Sequence, residues 1–170
     1  MMHESNKTKD LVVQESNLTF SDIYSKPYFP KEYEEDIKKA NLLLLPYEGF
    51  RDLKKPVFPE ETMKFYKFLK EYDNEQLVGD ICISDEEYAE LELHADLITI
   101  ASIIVMSGVL PVAVNVISNY LSEKLKSRKT ELKVRVDITV VDGAKSKSIS
   151  YEGDADKFEE TMKAANDINV

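Results

Sequence analysis

Few side chains in this 170-residue chain can do chemistry, and the first of them is its only thiol. Cys82 lies between Ile81 and Ile83 in a predicted core strand, where a thiol behaves as a small apolar side chain with a raised pKa. No basic neighbour is apparent that would lower that pKa and produce a nucleophile. We therefore expect Cys82 to belong to the core. A single cysteine also excludes an internal disulfide framework and a Cys-based zinc cluster, and it fits a reducing compartment.

His94 is the second candidate, because carboxylates lie near it in the sequence. Glu90 precedes it by four residues and shares its face if the segment is helical, so the carboxylate can orient the imidazole ring, and Asp96 follows two residues later. The sequence contains neither His-Glu-x-x-His nor an Asp-x-Asp-x-Asp-Gly loop, the spacings that hold zinc and calcium. We therefore expect a surface helix pairing here, and no metal or cofactor.

A third candidate is the loop after the first predicted strand of the domain. Ligands of open α/β sheets bind at the carboxyl ends of strands, and Glu48, Gly49 and Arg51 follow such an end. Arg51 can hold an anion there, or it can form a local ion pair with Glu48 or Asp52. No glycine-rich phosphate loop accompanies it. We name Glu48, Gly49 and Arg51 as candidate ligand-binding residues.

The elements that position these residues follow an aromatic arm, residues 1–40. Tyr24, Tyr28 and Phe29 lie among prolines, which predicts an extended or partly disordered segment. Two interpretations stay open: the arm lies across its own domain, or it docks another protein through these three aromatic residues. The polar first ten residues contain no apolar signal region, so we expect a cytoplasmic protein.

The charge balance restricts the kinds of partner. With 22 basic and 32 acidic side chains, the formal charge is -10, which disfavours nucleic acid because phosphate binding requires concentrated Lys and Arg. The acidic excess fits an ordinary solvated surface, and the short acidic run Asp85–Glu87 is too limited for a mimic of nucleic acid.

A βαβ unit is predicted over residues 41–96. Leu42–Leu45 is typical of a strand buried on both faces, a helix of about four turns begins near Pro59, and the next strand covers residues 77–83. Ser84 and Glu87 form a capping-box pattern, which predicts a helix that continues to Leu93.

The segment from Leu97 to Ser122 carries no charge. Gly108 and Pro111 interrupt it, and Leu110 to Leu125 shows a helical apolar stripe. We expect a buried helical hairpin or an oligomer contact within the apolar helical region, residues 97–129. A single membrane span is the alternative, because the segment exceeds the ~20 residues required and basic residues follow it.

Residues 130–170 predict a β-hairpin and a final helix. Apolar and polar residues alternate from Leu132 to Val140, Asp142–Gly143 is a turn signal, and Phe158 begins an apolar helical face. The predicted fold class is α/β in the mixed α+β sense. It has a small mixed sheet of about four strands, and residues 41–170 form one domain.

From Ala101 to about Ala165 the chain resembles the small effector-associated constant component domains of bacterial conflict and immune systems. The features shared are an apolar small-residue helix with Gly108 and Leu121, nearby basic residues, the alternating strand, the Asp142–Gly143 turn and the helix at Phe158. Tyr120 stands where that family often has tryptophan, and the βαβ part is not assigned to it. The resemblance implies a non-catalytic adaptor and transfers no active-site residue.

We therefore expect a non-catalytic accessory or adaptor protein of a bacterial multi-component system, with antiviral defence as one such system. It would act through a protein partner or as a homo-oligomer. Two alternatives stay open. One is a single-pass membrane protein with a cytoplasmic C-terminal hairpin domain, and the other is a small ligand-binding domain that uses the Glu48–Asp52 loop.

Overall fold

The chain folds around one mixed β-sheet. The structure is a computed structural model that describes residues 11–92, 97–127 and 131–165. The strands in these ranges are β1 (Leu11–Ser16), β2 (Leu42–Leu45), β3 (Phe58–Pro59), β4 (Gly79–Ile81), β5 (Glu90–Leu91), β6 (Leu97–Thr99), β7 (Ser102–Met106), β8 (Lys133–Asp142) and β9 (Lys145–Asp154). The α-helices in these ranges are α1 (Phe20–Tyr24), α2 (Glu34–Lys38), α3 (Thr62–Glu71), α4 (Leu110–Lys126) and α5 (Phe158–Ala164). Short 3₁₀ turns cover Lys31–Tyr33, Phe50–Asp52, Ser107–Val109 and Ala155–Lys157.

The main sheet has seven strands. Six of them lie in the order β1-β9-β8-β7-β2-β4, and the seventh, β6, pairs with β8 on the same side as β7. β1, β9 and β8 are antiparallel neighbours, β7 is parallel to β8, β2 is antiparallel to β7, and β4 is parallel to β2. The mixed α+β class is confirmed. The sheet is larger than the four strands expected, because β1 joins one edge and the uncharged segment supplies β6 and β7.

The two parallel pairs of this sheet run in opposite directions. β2 and β4 are parallel to each other, as are β7 and β8, while β2 is antiparallel to β7. The carboxyl ends of the two pairs therefore lie at opposite ends of the sheet. Open α/β sheets bind ligands at the carboxyl ends of their strands. This sheet has two such ends, one at each end of the sheet.

The local predictions for the strongest patterns are confirmed. All four residues of Leu42–Leu45 are buried, as expected for a strand covered on both faces. β8 alternates between buried residues and exposed or half-buried residues over most of its length. Gly143 adopts a φ of 62° in the turn to β9, a conformation that glycine reaches without steric cost.

The βαβ prediction is confirmed by the parallel pairing of β2 with β4 and by α3 between them. The helix is shorter than expected. Pro59 belongs to β3, which pairs with β5, and Glu61 adopts a φ of 71° immediately before α3 begins. Gly79 lets the helix approach the strand, because a Cβ atom there would lie 2.7 Å from Cδ2 of Leu69.

The helix predicted from Ser84 to Leu93 is wrong. The hydroxyl of Ser84 does accept the N–H of Glu87 at 3.3 Å, which is the capping interaction that the pattern predicts. Only a turn follows, because Glu90–Leu91 pairs with Phe58–Pro59 as β5. Tertiary strand pairing thus overrides the local cap signal. The residues 93–96, which include the candidates His94 and Asp96, lie outside the described residues.

The helical hairpin predicted for residues 97–122 is wrong in its first half, which forms β6 and β7. Ile103, Ile104 and Val105 are β-branched and buried, so they suit a central strand. The second half is helical as expected, and Asn115 is exposed on α4 while Ile117 is buried. Among the residues that the structure describes, no helix is both long and apolar enough to cross a bilayer.

The described part of the aromatic arm contributes to the fold. Residues 11–16 form the edge strand β1, and Phe20 to Tyr24 are helical where an extended chain was expected. Asp22 provides the local reason, because its carboxylate accepts the N–H of Thr19 at 2.9 Å and completes a capping box.

Candidate functional site

A cavity of about 460 Å³ opens beside β4 and the segment that follows it. Its lining residues come from four places: the 3₁₀ turn with α2, the start of α3, β4 itself, and the connection from β4 to β5. They are Tyr33, Asp36, Ile37, Met63, Tyr66, Asp80, Ile81, Ile83, Ser84, Asp85 and Tyr88. We call this cavity the Tyr–Asp groove. It lies at the carboxyl end of one parallel pair, and its volume is in the range of ligand sites.

The two walls of the Tyr–Asp groove are short amphipathic elements held by buried residues. Ile37 fixes α2 to the core, being 2% exposed, while Asp36 next to it stays exposed. Phe65 and Leu69 fix α3 in the same way, which leaves Met63 and Tyr66 half-buried at the groove. In α3 the helical period therefore separates the anchoring residues from the lining residues, whereas Ile37 of α2 does both.

Asp80 is held in place by two donors. Its Oδ1 atom accepts the hydroxyl of Tyr66 at 3.1 Å and the backbone N–H of Ile81 at 2.8 Å. The hydrogen bond to Tyr66 joins α3 to the edge strand β4. A carboxylate that accepts two hydrogen bonds is oriented before any ligand arrives.

The outer edge of β4 is covered by the chain's own side chains. The N–H of Cys82 donates to the Leu44 carbonyl, so the alternate residues Gly79 and Ile81 direct their backbone groups away from β2. Lys70 donates to the Gly79 carbonyl at 3.3 Å, and Asp80 accepts the Ile81 N–H. This edge therefore resists the addition of another strand.

The tyrosines of the groove are held in their neutral form. Burial raises the pKa of Tyr66, and the adjacent Asp80 raises it further. Burial and the hydrogen bond to Glu90 also raise the pKa of Tyr88. For the exposed Tyr33, the negative charge of Asp85 is the largest cause of its raised pKa. The groove thus combines neutral phenols with a negative local field.

The acidic residues of the groove do not form a metal centre. Within residues 11–92, 97–127 and 131–165, no group of three or more His, Cys, Asp and Glu side chains is arranged to hold a metal ion. The groove instead offers carboxylates, aromatic rings and apolar walls from Met63 and Ile83. These groups suit non-covalent binding.

A second cavity, of about 760 Å³, lies at the opposite end of the sheet. It is lined by residues around the starts of α1 and α4 and by the turn between β8 and β9: Thr19, Phe20, Ser21, Asn41, Met106, Ser107, Gly108, Val109, Val141, Asp142, Gly143 and Ala144. The Asn41 side chain is already engaged, since its amide donates to the Gln76 carbonyl at 2.7 Å and its oxygen accepts the Val78 N–H at 2.8 Å.

The predicted ligand-binding residues Glu48, Gly49 and Arg51 line neither of these cavities. Glu48 forms an ion pair with Lys26 at 3.0 Å, and the Arg51 guanidinium lies 5.0 Å from the Phe50 ring centroid. Among the described ion pairs none involves Arg51, so the local pair with Glu48 or Asp52 is not formed. Gly49 and Arg51 both have positive φ, at 63° and 49°.

The predicted partner-binding residues Tyr24, Tyr28 and Phe29 pack within the domain. Tyr28 and Phe29 are 7% and 6% exposed, and the Tyr24 ring lies 5.6 Å from the Phe29 ring. Burial also raises the pKa of Tyr28. These contacts favour the interpretation in which the arm lies across its own domain. Docking through these three residues stays a prediction.

Sequence reasoning missed the lining residues of the groove, although one signal was present. Asp80, Ser84 and Asp85 lie near the carboxyl end of a predicted strand. The rule that ligands bind at the carboxyl ends of strands, which selected Arg51 after the preceding strand, therefore applies to them as well. Tyr33 and Asp36 could not be added from the sequence, because they reach the groove only when α2 packs beside β4.

Comparison of the chain with protein-family models, with curated proteins and with solved structures returned no match. Part of the element order on which the resemblance to effector-associated constant component domains rests is present as α4, β8, the Asp142–Gly143 turn, β9 and α5. Gly108 lies in the 3₁₀ turn before α4, and Ser102–Met106 form β7, so the helix of the resemblance does not extend back to Ala101.

Proposed function

We propose that this protein is a non-catalytic adaptor that binds a protein partner through the Tyr–Asp groove. The observation that carries the proposal is the joining of exposed carboxylates, half-buried tyrosines and apolar side chains in one cavity at the carboxyl end of β4. Protein interfaces are rich in tyrosine and are surrounded by polar groups, and the groove has this composition.

The properties of the reactive groups support binding over catalysis. Cys82 is fully buried, and burial raises the pKa of its thiol to about 12, whereas a nucleophilic thiol requires a lowered pKa and access. The tyrosines of the groove have raised pKa values as well. They therefore act as hydrogen-bond donors and ring surfaces near neutral pH.

The resemblance of residues 101–165 to effector-associated constant component domains favours the same function, because it implies a non-catalytic adaptor that couples other components by protein contact. The prediction of a bacterial multi-component system, with antiviral defence as one option, rests on that resemblance. The groove is formed by residues 33–88, which lie upstream of the segment concerned.

Site-specific photocrosslinking in the native host tests the proposal. A photoreactive phenylalanine replaces Tyr33 in one variant and Val12 in another, since both side chains are 40% exposed and only Tyr33 lines the groove. We expect one crosslinked protein at position 33 that excess wild-type chain competes away. The same product at both positions would contradict docking through the groove.

The crosslinked protein is then purified and titrated calorimetrically. Met63→Trp fills the groove, and Lys64→Trp places the same ring on the neighbouring exposed position of α3. We expect Met63→Trp to weaken the affinity at least tenfold, with little effect of Lys64→Trp. Equal affinities for the two variants would overturn the proposal, and a crosslink only to a second copy would replace the partner with self-assembly.

A further inference from the structure

We infer that the Tyr–Asp groove recognises a cationic side chain, the guanidinium or ammonium group of a basic residue, in the partner segment that it binds. This inference rests on the proposed function and adds the chemical class of the ligand. It follows from three features of the groove: two carboxylates without partners among the described residues, an exposed tyrosine ring in the same lining, and a lining that supplies no cation of its own.

The first feature is the state of the carboxylates. Asp36 and Asp85 are exposed residues that line the cavity, the first from α2 and the second from the connection between β4 and β5. Among the described residues, neither takes part in an ion pair or a side-chain hydrogen bond, whereas Asp80 is engaged with Tyr66 and Ile81. Two free carboxylates at one cavity attract a cation and can accept its hydrogen bonds.

The second feature is aromatic. Tyr33 is 40% exposed at the cavity, and its raised pKa is caused chiefly by the charge of Asp85, so the ring lies within the field of that carboxylate. The half-buried rings of Tyr66 and Tyr88 also line the cavity, but each already has a neighbour, Lys70 at 5.9 Å from the first and the stacked Phe58 ring on the second, so Tyr33 is the ring that is free for a ligand. A guanidinium or ammonium group near a tyrosine ring is attracted by the ring quadrupole in addition to the carboxylate charge.

The third feature is the absence of a lysine or arginine among the described residues that line the cavity. The nearby Lys70 is held by the Gly79 carbonyl at 3.3 Å, and its ammonium group lies 5.9 Å from the Tyr66 ring. The capped outer edge of β4 disfavours recognition by strand pairing. The groove therefore binds its ligand through a side chain.

Titration of the isotopically labelled full chain with capped pentapeptides, followed by NMR, tests this inference. The probes carry one central arginine, lysine or citrulline between glycines, and free methylguanidinium and spermidine form two further arms. We expect saturable shifts at the amides of Ile81 to Asp85 with the arginine and lysine peptides. The neutral citrulline peptide should bind at least tenfold more weakly, because it keeps the shape and loses the charge.

Matched variants assign the effect to the groove. Asp36→Asn with Asp85→Asn removes two charges from the cavity, and Asp73→Asn with Glu75→Gln removes two from exposed sites outside it. We expect at least a tenfold loss of arginine-peptide affinity in the first double variant and under twofold in the second. Tyr33→Leu should weaken binding roughly threefold to tenfold, and Tyr33→Phe should retain it because the ring remains.

The outcomes separate this inference from the proposed function. Equal binding of citrulline and arginine peptides, or no saturable shift with any cation up to about 10 mM, overturns cation recognition, while a groove-dependent crosslinked partner would still support the adaptor. Conversely, spermidine or methylguanidinium that binds tenfold more tightly than the peptides would keep the cation chemistry and remove the protein segment as its source.

Discussion

The Tyr66 hydroxyl on α3 donates a hydrogen bond to Oδ1 of Asp80 on β4 at 3.1 Å. The same oxygen accepts the Ile81 N–H, so one carboxylate joins a helix to the edge strand and also covers that strand's backbone. This arrangement links the stability of the sheet edge to the shape of the groove.

Tyr66→Phe removes only the hydroxyl of this pair. We expect the free energy of unfolding to fall by about 0.5–1.5 kcal/mol, the net contribution of a typical intramolecular hydrogen bond. Urea denaturation measures it. The control is Tyr72→Phe, a half-buried tyrosine whose hydroxyl has no hydrogen-bond partner among the described residues, and an equal loss in the two variants would contradict the prediction.

Gly79→Ala tests how closely α3 packs on β4. The added Cβ would lie 2.7 Å from Cδ2 and 2.9 Å from Cγ of Leu69, so we expect a loss of roughly 1–3 kcal/mol from overpacking. Adding Leu69→Val provides space, and the cost of the double variant should be smaller than the sum of the single costs. Strict additivity in urea denaturation would show that the contact is unimportant.

Gly143→Ala places a side chain at a φ of 62°. The turn between β8 and β9 requires this left-handed conformation, which costs a residue with a Cβ roughly 1–2 kcal/mol. Gly108→Ala is the matched control, because Gly108 does not have a positive φ and nothing lies within 4 Å of its added Cβ. We expect a lower melting temperature only for Gly143→Ala.

The stability of the chain should depend on Asp154 in acid. A hydrogen bond from Lys133 lowers the pKa of Asp154 below its ordinary value. Because the pKa is lower in the folded state, the stabilisation is complete above the unfolded value of about 3.9 and is lost as the pH falls through the folded value. Melting temperatures between pH 6 and pH 2 should therefore fall less steeply in Asp154→Asn than in wild type.

The control for the acid measurement is Asp156→Asn, an exposed carboxylate on the adjacent 3₁₀ turn. Among the described residues it has no ion pair, so its removal should leave the acid limb of the melting curve close to that of wild type. The prediction fails if Asp154→Asn and wild type have parallel profiles.

Cys82 should resist thiol reagents in the folded protein. Its side chain is 0% exposed, and burial raises its pKa to about 12, so little thiolate is present or accessible at pH 8. We expect labelling by a chromogenic disulfide to be at least a hundredfold slower in buffer than in 6 M guanidinium, by the thiolate and access argument. An added surface thiol, Ser127→Cys, should react rapidly, and fast stoichiometric labelling of Cys82 in the folded wild type would contradict the described core.

The sequence predicts those parts of the fold whose signal is local. The Asp142–Gly143 turn is encoded by two residues, and the strand Leu42–Leu45 by its own apolar run between breakers. By contrast, the run from Leu97 to Met106 is compatible with a buried helix or a buried strand, because a continuous apolar stretch has no period. This run forms strands because it pairs with β8 and β2, and both of these partners lie far from it in the sequence.

The groove could be predicted only in part for a related reason. Its β4 wall follows from a rule about strand ends, whereas Tyr33 and Asp36 approach it only through packing of α2. β1 shows the same limit, since Leu11 to Val13 is a short apolar run whose strand partner, β9, begins at Lys145.

The opposed directions of the two parallel strand pairs have a spatial consequence. The 460 Å³ and 760 Å³ cavities sit at the two poles of the sheet, and the central strands separate them. The two cavities share no lining residue, so a ligand held within one of them does not occupy the other.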